Sequence, residues 1–200
     1  MIRRAKAKRY AWVSAFVLAG GLTLVIGGTN DSNTVNAQTP AVAQFNDAGE
    51  LIRPEGWREW IYVGTPLTPN SLNPPEAPFP EFHSVYIDPE SWAHYKETGE
   101  FREGTLLAKE LASVGATQAT SGKGFFMGEL IGFEIAYKSA ERFPEEPGNW
   151  AYFSFGHKPE PYNDTAKAMP TAACAACHVA SAAEDMVFTQ YYPILRAAKP

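Results

Sequence analysis

Gly122-Lys123-Gly124-Phe125-Phe126-Met127-Gly128-Glu129-Leu130-Ile131-Gly132-Phe133-Glu134-Ile135-Ala136-Tyr137-Lys138 is the run on which the fold turns. It is long, apolar and rich in residues that favour extended chain, so it reads as a strand. The glycines inside it predict an interruption or a bulge at Gly128 or Gly132. Upstream, residues 104–113 read as another strand. Downstream, Asn149-Trp-Ala-Tyr-Phe-Ser-Phe155 is an aromatic one.

Further upstream, residues 83–87 form a short strand and residues 56–63 a first one. In the latter, Trp57, Glu59, Ile61 and Val63 alternate with Arg58, Trp60 and Tyr62, so both faces can pack. Residues 38–54 read as an irregular arm. Between the first two strands, Pro66, Pro69, Pro74, Pro75, Pro78 and Pro80 forbid regular structure over residues 64–80. A loop of that length in a compact domain is often functional. Asp88-Pro89-Glu90 starts a helix, with Asp88 as N-cap and Pro89 in the first turn, and Gly99 ends it.

After Gly156 the composition shifts. Residues 166–183 are alanine-rich and predict a short helix; residues 184–198 predict another, kinked or split at Pro193. Strands followed by helices give an α+β fold, with an antiparallel sheet of about five strands, a few helices and a helical C-terminal segment.

That C-terminal segment contains Cys174-Ala175-Ala176-Cys177-His178, and the chain has no other cysteine. Cys-x-x-Cys-His is the attachment motif for haem c. The two thiols form thioethers to the porphyrin, and the adjacent imidazole becomes an iron ligand. A redox dithiol would sit in a cytosolic βαβ setting. A zinc site would need a second cysteine pair.

The other end of the chain carries an export signal. Arg3, Arg4, Lys6, Lys8 and Arg9 precede an uncharged apolar run over residues 11–26, and Val35-Asn36-Ala37 is a small-residue cleavage site. Residues 1–37 therefore read as a signal peptide directing the protein to the periplasm, with an uncleaved anchor as the alternative; the run is somewhat short for a bilayer span. Residues 38–200 read as one haem-bearing domain. They carry 12 basic and 21 acidic side chains, a formal charge of −9. That balance argues against nucleic acid as a partner and suits a basic redox partner.

Only 22 residues follow His178. Small electron-transfer cytochromes c need a methionine ligand well downstream of the motif, and the four-helix cytochrome c′ needs long amphipathic helices upstream. Neither fits. A Met or His as sixth iron ligand makes an electron carrier, whereas an open position makes a reactive site. His83, His94, His157, Met127, Met169 and Met186 are the candidates, and their spacing leaves the choice open.

Gly56-Trp57-Arg58-Glu59-Trp60, residues 79–86, 99–110, 122–129 and 142–155, and Phe188-Thr189-Gln190-Tyr191-Tyr192-Pro193 together resemble the cytochrome P-460 family. The resemblance extends over the whole of residues 38–200, and cytochrome c′-beta shares fold and motif. It implies a β-rich homodimer with one haem c per chain. His178 is then the proximal ligand and the opposite iron face is open. It also implies oxidation of hydroxylamine to nitrous oxide or nitrite, with electrons passed to an external acceptor such as a small cytochrome c. The c′-beta relatives imply binding of nitric oxide instead, and a simple electron carrier is the third reading.

By this resemblance Lys109 occupies the position of a lysine bonded to the porphyrin. Its own sequence context, on one face with Leu107 and Leu111, equally suits a snorkelling surface lysine. Glu134 matches a distal proton-accepting carboxylate. Along Phe126, Gly128, Leu130, Gly132, Glu134 and Ala136 it is the only charge on that face if the strand stays in register, which a glycine bulge would change, and a salt bridge, for example to Lys138 or Arg142, is the structural alternative. Phe79 matches a phenylalanine covering the open iron face, held rigid by Pro78 and Pro80, and Phe82 is a second candidate. Ordinary core packing is the alternative for both.

Overall fold

The computed structural model describes residues 43–200. The expected signal peptide over residues 1–37 lies outside the described residues. Among the described residues, no helix is long and apolar enough to cross a membrane.

The described residues run through nine strands and three α-helices. The strands are β1 (Leu51–Ile52), β2 (Ile61–Gly64), β3 (Phe82–Ile87), β4 (Leu106–Val114), β5 (Gln118–Ala119), β6 (Gly122–Lys123), β7 (Met127–Lys138), β8 (Trp150–Ser154) and β9 (Thr165–Ala166). The helices are α1 (Pro89–Thr98), α2 (Thr171–Ser181) and α3 (Pro193–Ala198). Five strands form the central antiparallel sheet, in the order β2-β3-β4-β7-β8. The α+β architecture and five-stranded sheet read from the sequence are thus present.

Alternation along the strands sends side chains to two cores. Leu106, Ala108, Phe133, Ile135 and Phe153 pack on one face with Trp57, Trp60 and Tyr162. Val85, Ile87, Leu107 and Trp150 pack on the other, with Tyr95 from α1 and Leu195 from α3. The second face also carries the site.

The expected bulge is present on β7, and there are two, one beside each glycine. Leu111 pairs with Gly132 but Ala112 pairs with Leu130, so Ile131 is the extra residue; a second shift lies between Ala112 and Val114, beside Gly128. Gly128 is forced by crowding: a Cβ there would lie 2.5 Å from the Ser113 hydroxyl.

Helix α1 starts and stops as its sequence predicts. The buried Asp88 carboxylate accepts from Ser91 N–H at 2.9 Å, and Gly99 closes the helix with φ 74°. The other carboxylate oxygen accepts from Leu106 N–H at 2.9 Å, tying the helix start to β4.

Three expectations are corrected. Residues 57–59 form a 3₁₀ turn rather than strand, because Gly56 enters it at φ 66°. The i, i+3 spacing of that turn sends both Trp57 and Trp60 into the same core. The N-terminal arm is not wholly irregular, since Leu51–Ile52 pairs with Thr165–Ala166 and buries Leu51 completely. Residues 184–192 form no α-helix, only a 3₁₀ turn at Thr189–Tyr191; Pro193 does not kink a helix but begins α3, where its missing N–H costs nothing. Before it, Asp185 and Met186 both take positive φ, at 40° and 62°.

Candidate functional site

The central strands set the site by register. Lys109 on β4 pairs with Val85 on β3 and Glu134 on β7, and Glu134 pairs with Ser154 on β8. These four side chains stand in one row on one face. The neighbouring row on that face is Ile87, Leu107, Ala136 and Tyr152, and the row on the other side is His83, Leu111 and Gly132. The bulge at Ile131 lies beyond Gly132, so it leaves Glu134 facing Lys109. Lys109 Nζ lies 2.5 Å from Glu134 Oε2, each side chain a little over a quarter exposed.

Phe79 hangs over this pair from the proline-rich loop. Its ring centroid is 5.5 Å from Lys109 Nζ and 6.1 Å from the His83 ring. The Thr68 hydroxyl donates to its carbonyl at 2.5 Å, and the ring is 45% exposed. An aromatic face half open to solvent beside a charged pair is unlike core packing, and it suits a flat group seated beneath it. Phe82 does not join this cluster. It pairs with Ala112, and strand alternation puts it with Ser84 and Tyr86 on the opposite face.

Helix α2 is brought to the same face by the edge of the sheet. Ala168 bridges to Phe153, and Met169 N–H donates to the Tyr152 carbonyl at 2.7 Å, so the chain returns alongside β8 just before it enters α2. The Thr171 hydroxyl donates to the Glu146 carboxylate, pinning the first turn, and Ala175 is the buried residue that seats the helix. Cys174, Cys177 and His178 follow at i, i+3 and i+4, along one side of a helix. Cys174 is half-buried and Cys177 exposed.

The His178 ring is fixed from three directions. It lies between Tyr152 and Phe188, with centroids 4.5 Å from each, and its Nδ1 is 2.6 Å from the Met186 carbonyl. Nδ1 must donate in that contact, which leaves Nε2 as the free basic nitrogen. The Met186 carbonyl is aimed by the two positive-φ residues. They are held by Asp185, which pairs with Lys138 at 2.5 Å and accepts from the Trp150 indole at 3.3 Å. Met186 therefore serves His178 through its backbone and is not placed to ligate from the opposite side.

Electrostatics join these parts. Burial pushes the His178 imidazole below its ordinary pKa, the Met186 carbonyl opposes, and Lys109 lowers it further while Glu134 raises it. Burial raises the Cys174 thiol, again with Glu134 and Lys109 contributing in opposite senses. Burial pushes His83 down to about 4, with Lys109 adding to the effect and Glu81 and Glu134 opposing it. The attachment motif, the Lys109–Glu134 pair and His83 thus share one cleft.

The residues fit a covalent c-type haem. Two thiols and a histidine with a free Nε2 line one side of a helix, opposite a row of side chains capped by a half-exposed aromatic. Among the described residues, no cluster of three or more His, Cys, Asp or Glu suggests a separate metal ion. Of the other possible iron ligands, His83 stands on the same sheet face as Lys109 and Glu134. His94 lies on α1, and Met127 is exposed on the free end of β7.

Sequence reasoning missed Tyr152, Phe188 and the Met186 carbonyl as supports of His178. The alternation of Trp150, Tyr152 and Ser154 in an aromatic strand signals the first; nothing local signals the other two.

The sequence model of the family described as Cytochrome P460 matches residues 54–189, which include every residue of the cleft. No curated protein matches the sequence closely enough to count as a relative.

Proposed function

The chain belongs to the cytochrome P460 family and is a haem cytochrome, and from that premise we propose that it is a periplasmic enzyme oxidising hydroxylamine at a covalently attached haem c. The observation that carries this reading is the Lys109–Glu134 pair, set in direct register on the cleft face that His178 also occupies. A protein that only traps nitric oxide or carries electrons needs neither residue.

Cys174 and Cys177 hold the cofactor, and His178 offers Nε2 to the iron. When bound, the haem supplies a Lewis-acidic, electron-accepting iron. Conversion of two hydroxylamines to nitrous oxide and water releases four protons with four electrons. Conversion of one hydroxylamine and a water to nitrite releases five protons with four electrons. A carboxylate beside the substrate is therefore needed as proton acceptor. Glu134 has that role, and Phe79 limits access to the cleft.

In this reading Lys109 would be joined to the porphyrin by a C–N bond that replaces a ring C–H bond, which releases two protons and two electrons, the electrons leaving to an external acceptor. An amine must shed its proton to act as a nucleophile, and the Glu134 carboxylate at 2.5 Å is placed to take it. Once the lysine nitrogen is engaged, Glu134 loses its ionic partner and is free to serve the substrate. Electrons pass to an external acceptor, for which the acidic balance of residues 38–200 favours a basic small cytochrome c. Two copies of the chain forming a homodimer complete the reading.

Hydroxylamine-dependent reduction of an artificial electron acceptor by the purified protein tests the reading. Steady turnover supports it. Absence of turnover, with nitric oxide bound tightly by the ferrous protein, would replace it with the nitric-oxide-binding function.

A further inference from the structure

Glu81 is the buried carboxylate that the cleft chemistry leaves unexplained. Its side chain is 8% exposed, and it touches two histidines. His157 Nε2 lies 2.9 Å from Oε1, and His157 is half exposed to solvent on the loop after β8. His83 Nε2 lies 3.8 Å from Oε2. Those last two atoms are both buried and both without a hydrogen-bond partner. An orphaned buried polar atom costs about 1–3 kcal/mol, so two facing each other across a gap little more than a hydrogen bond mark a contact that closes intermittently.

The other end of this chain of groups is the cleft. His83 stands one row from Lys109 and Glu134 on the same sheet face, about 7 Å along β3 from the Val85 position that pairs with Lys109. It also packs edge-on to Phe79.

We propose that His83, Glu81 and His157 form a proton exit from the haem cleft to solvent. Resting on the hydroxylamine reading, the route drains the protons that Glu134 accepts. Glu134 passes a proton to the His83 ring, by way of water in the cleft; the ring releases one from Nε2 to Glu81 Oε2; the carboxyl turns about its Cγ–Cδ bond and hands that proton to His157 Nε2, and the His157 ring releases one from Nδ1 to bulk water. Each transfer exchanges one N–H or O–H bond for another, so no oxidant or reductant is consumed. The low basicity of His83 suits a carrier that holds its extra proton only in passing.

The test uses the full haem-loaded protein with His157→Ala, an exposed substitution, and His83→Gln as a second variant. Ferric protein is mixed rapidly with weakly buffered alkali, and release of the protons held in the cleft is followed with an indicator dye; no hydroxylamine is needed. Release about tenfold slower in His157→Ala, with an unchanged visible spectrum and recovery on adding free imidazole, supports the exit. Equal release kinetics in wild type and both variants overturns it, as does slowing that imidazole does not relieve, because a merely structural defect would not respond to a mobile base. Hydroxylamine turnover is measured on the same samples. Loss of turnover in the wild type defeats the enzymatic reading without touching this result.

Discussion

Lys109 and Glu134 are direct cross-strand partners, and their charged ends meet at 2.5 Å on the face of the sheet that also receives His178. Both of the alternatives open for these residues from sequence, the snorkelling lysine and the salt-bridged carboxylate, are partly realised: they are each other's salt bridge. What distinguishes the pair from a surface ion pair is its place, under Phe79 and within electrostatic reach of Cys174.

Replacing Glu134 with Gln keeps the shape and removes the base. Hydroxylamine turnover should fall about 100-fold, within the usual range for a general base, while the ferric visible spectrum and thermal midpoint stay close to wild type. Turnover within threefold of wild type would assign proton acceptance elsewhere.

Replacing Lys109 with Ala tests the porphyrin bond separately. The wild-type ferrous protein should show a strongly red-shifted Soret band, and Lys109→Ala should show that of an ordinary c-type haem. If the two spectra coincide, Lys109 is only the ionic partner of Glu134. Acid–acetone treatment should extract haem from neither protein, since Cys174 and Cys177 still hold it.

Asp88 predicts a stability effect far from the chemistry. Its fully buried carboxylate satisfies Ser91 N–H and Leu106 N–H together. Asp88→Ala orphans both donors and should cost about 2–4 kcal/mol in urea unfolding. Asp88→Asn, which retains one acceptor oxygen, should lose roughly half as much.

His83 predicts a pH effect. Burial and the neighbouring Lys109 hold the folded imidazole near 4, against the opposing pull of Glu81 and Glu134, whereas an unfolded histidine titrates near 6.5. The unfolded chain therefore binds the extra proton as the pH drops, and native stability falls between about 6.5 and about 4, then levels off. The His83 contribution is at most about 3 kcal/mol. Urea unfolding of wild type and His83→Gln at several pH values checks it: the variant should lose less stability across that window, and parallel curves would refute the assignment.

Much of this was legible wherever a local rule decided the outcome. Asp88-Pro89 and Gly99 bounded α1, and the glycines of β7 announced a bulge, though not that there are two. The Cys174–His178 motif fell on a helix because alanine-rich sequence leaves little else. Legibility failed where a distant partner decided. Residues 57–63 alternate like a strand, yet the left-handed Gly56 turns Trp57 and Trp60 inward together. Residues 184–192 look helical, yet Asp185 gives up helix geometry to reach Lys138 and Trp150 and thereby aims Met186 at His178. Phe82 and Phe79 are three residues apart in a phenylalanine-proline run, and only the pairing of Phe82 with Ala112 separates their faces. Glu81, His83 and His157 come together across more than seventy residues, which no local pattern encodes.

The two surplus residues of β7 have a consequence for how this sheet can change over time. They divide the strand into an inner half, locked against Lys109 and β8, and an outer half that carries the exposed Met127 and Leu130. A bulge absorbs a change in strand length by adding or dropping one unpaired residue. Insertions, deletions or altered side chains in the outer half can thus be accommodated at Gly128 and Ile131 before they reach Glu134. The bulges act as a slip joint, leaving the free end of the strand open to evolutionary drift while the register of Lys109 and Glu134 stays where it is.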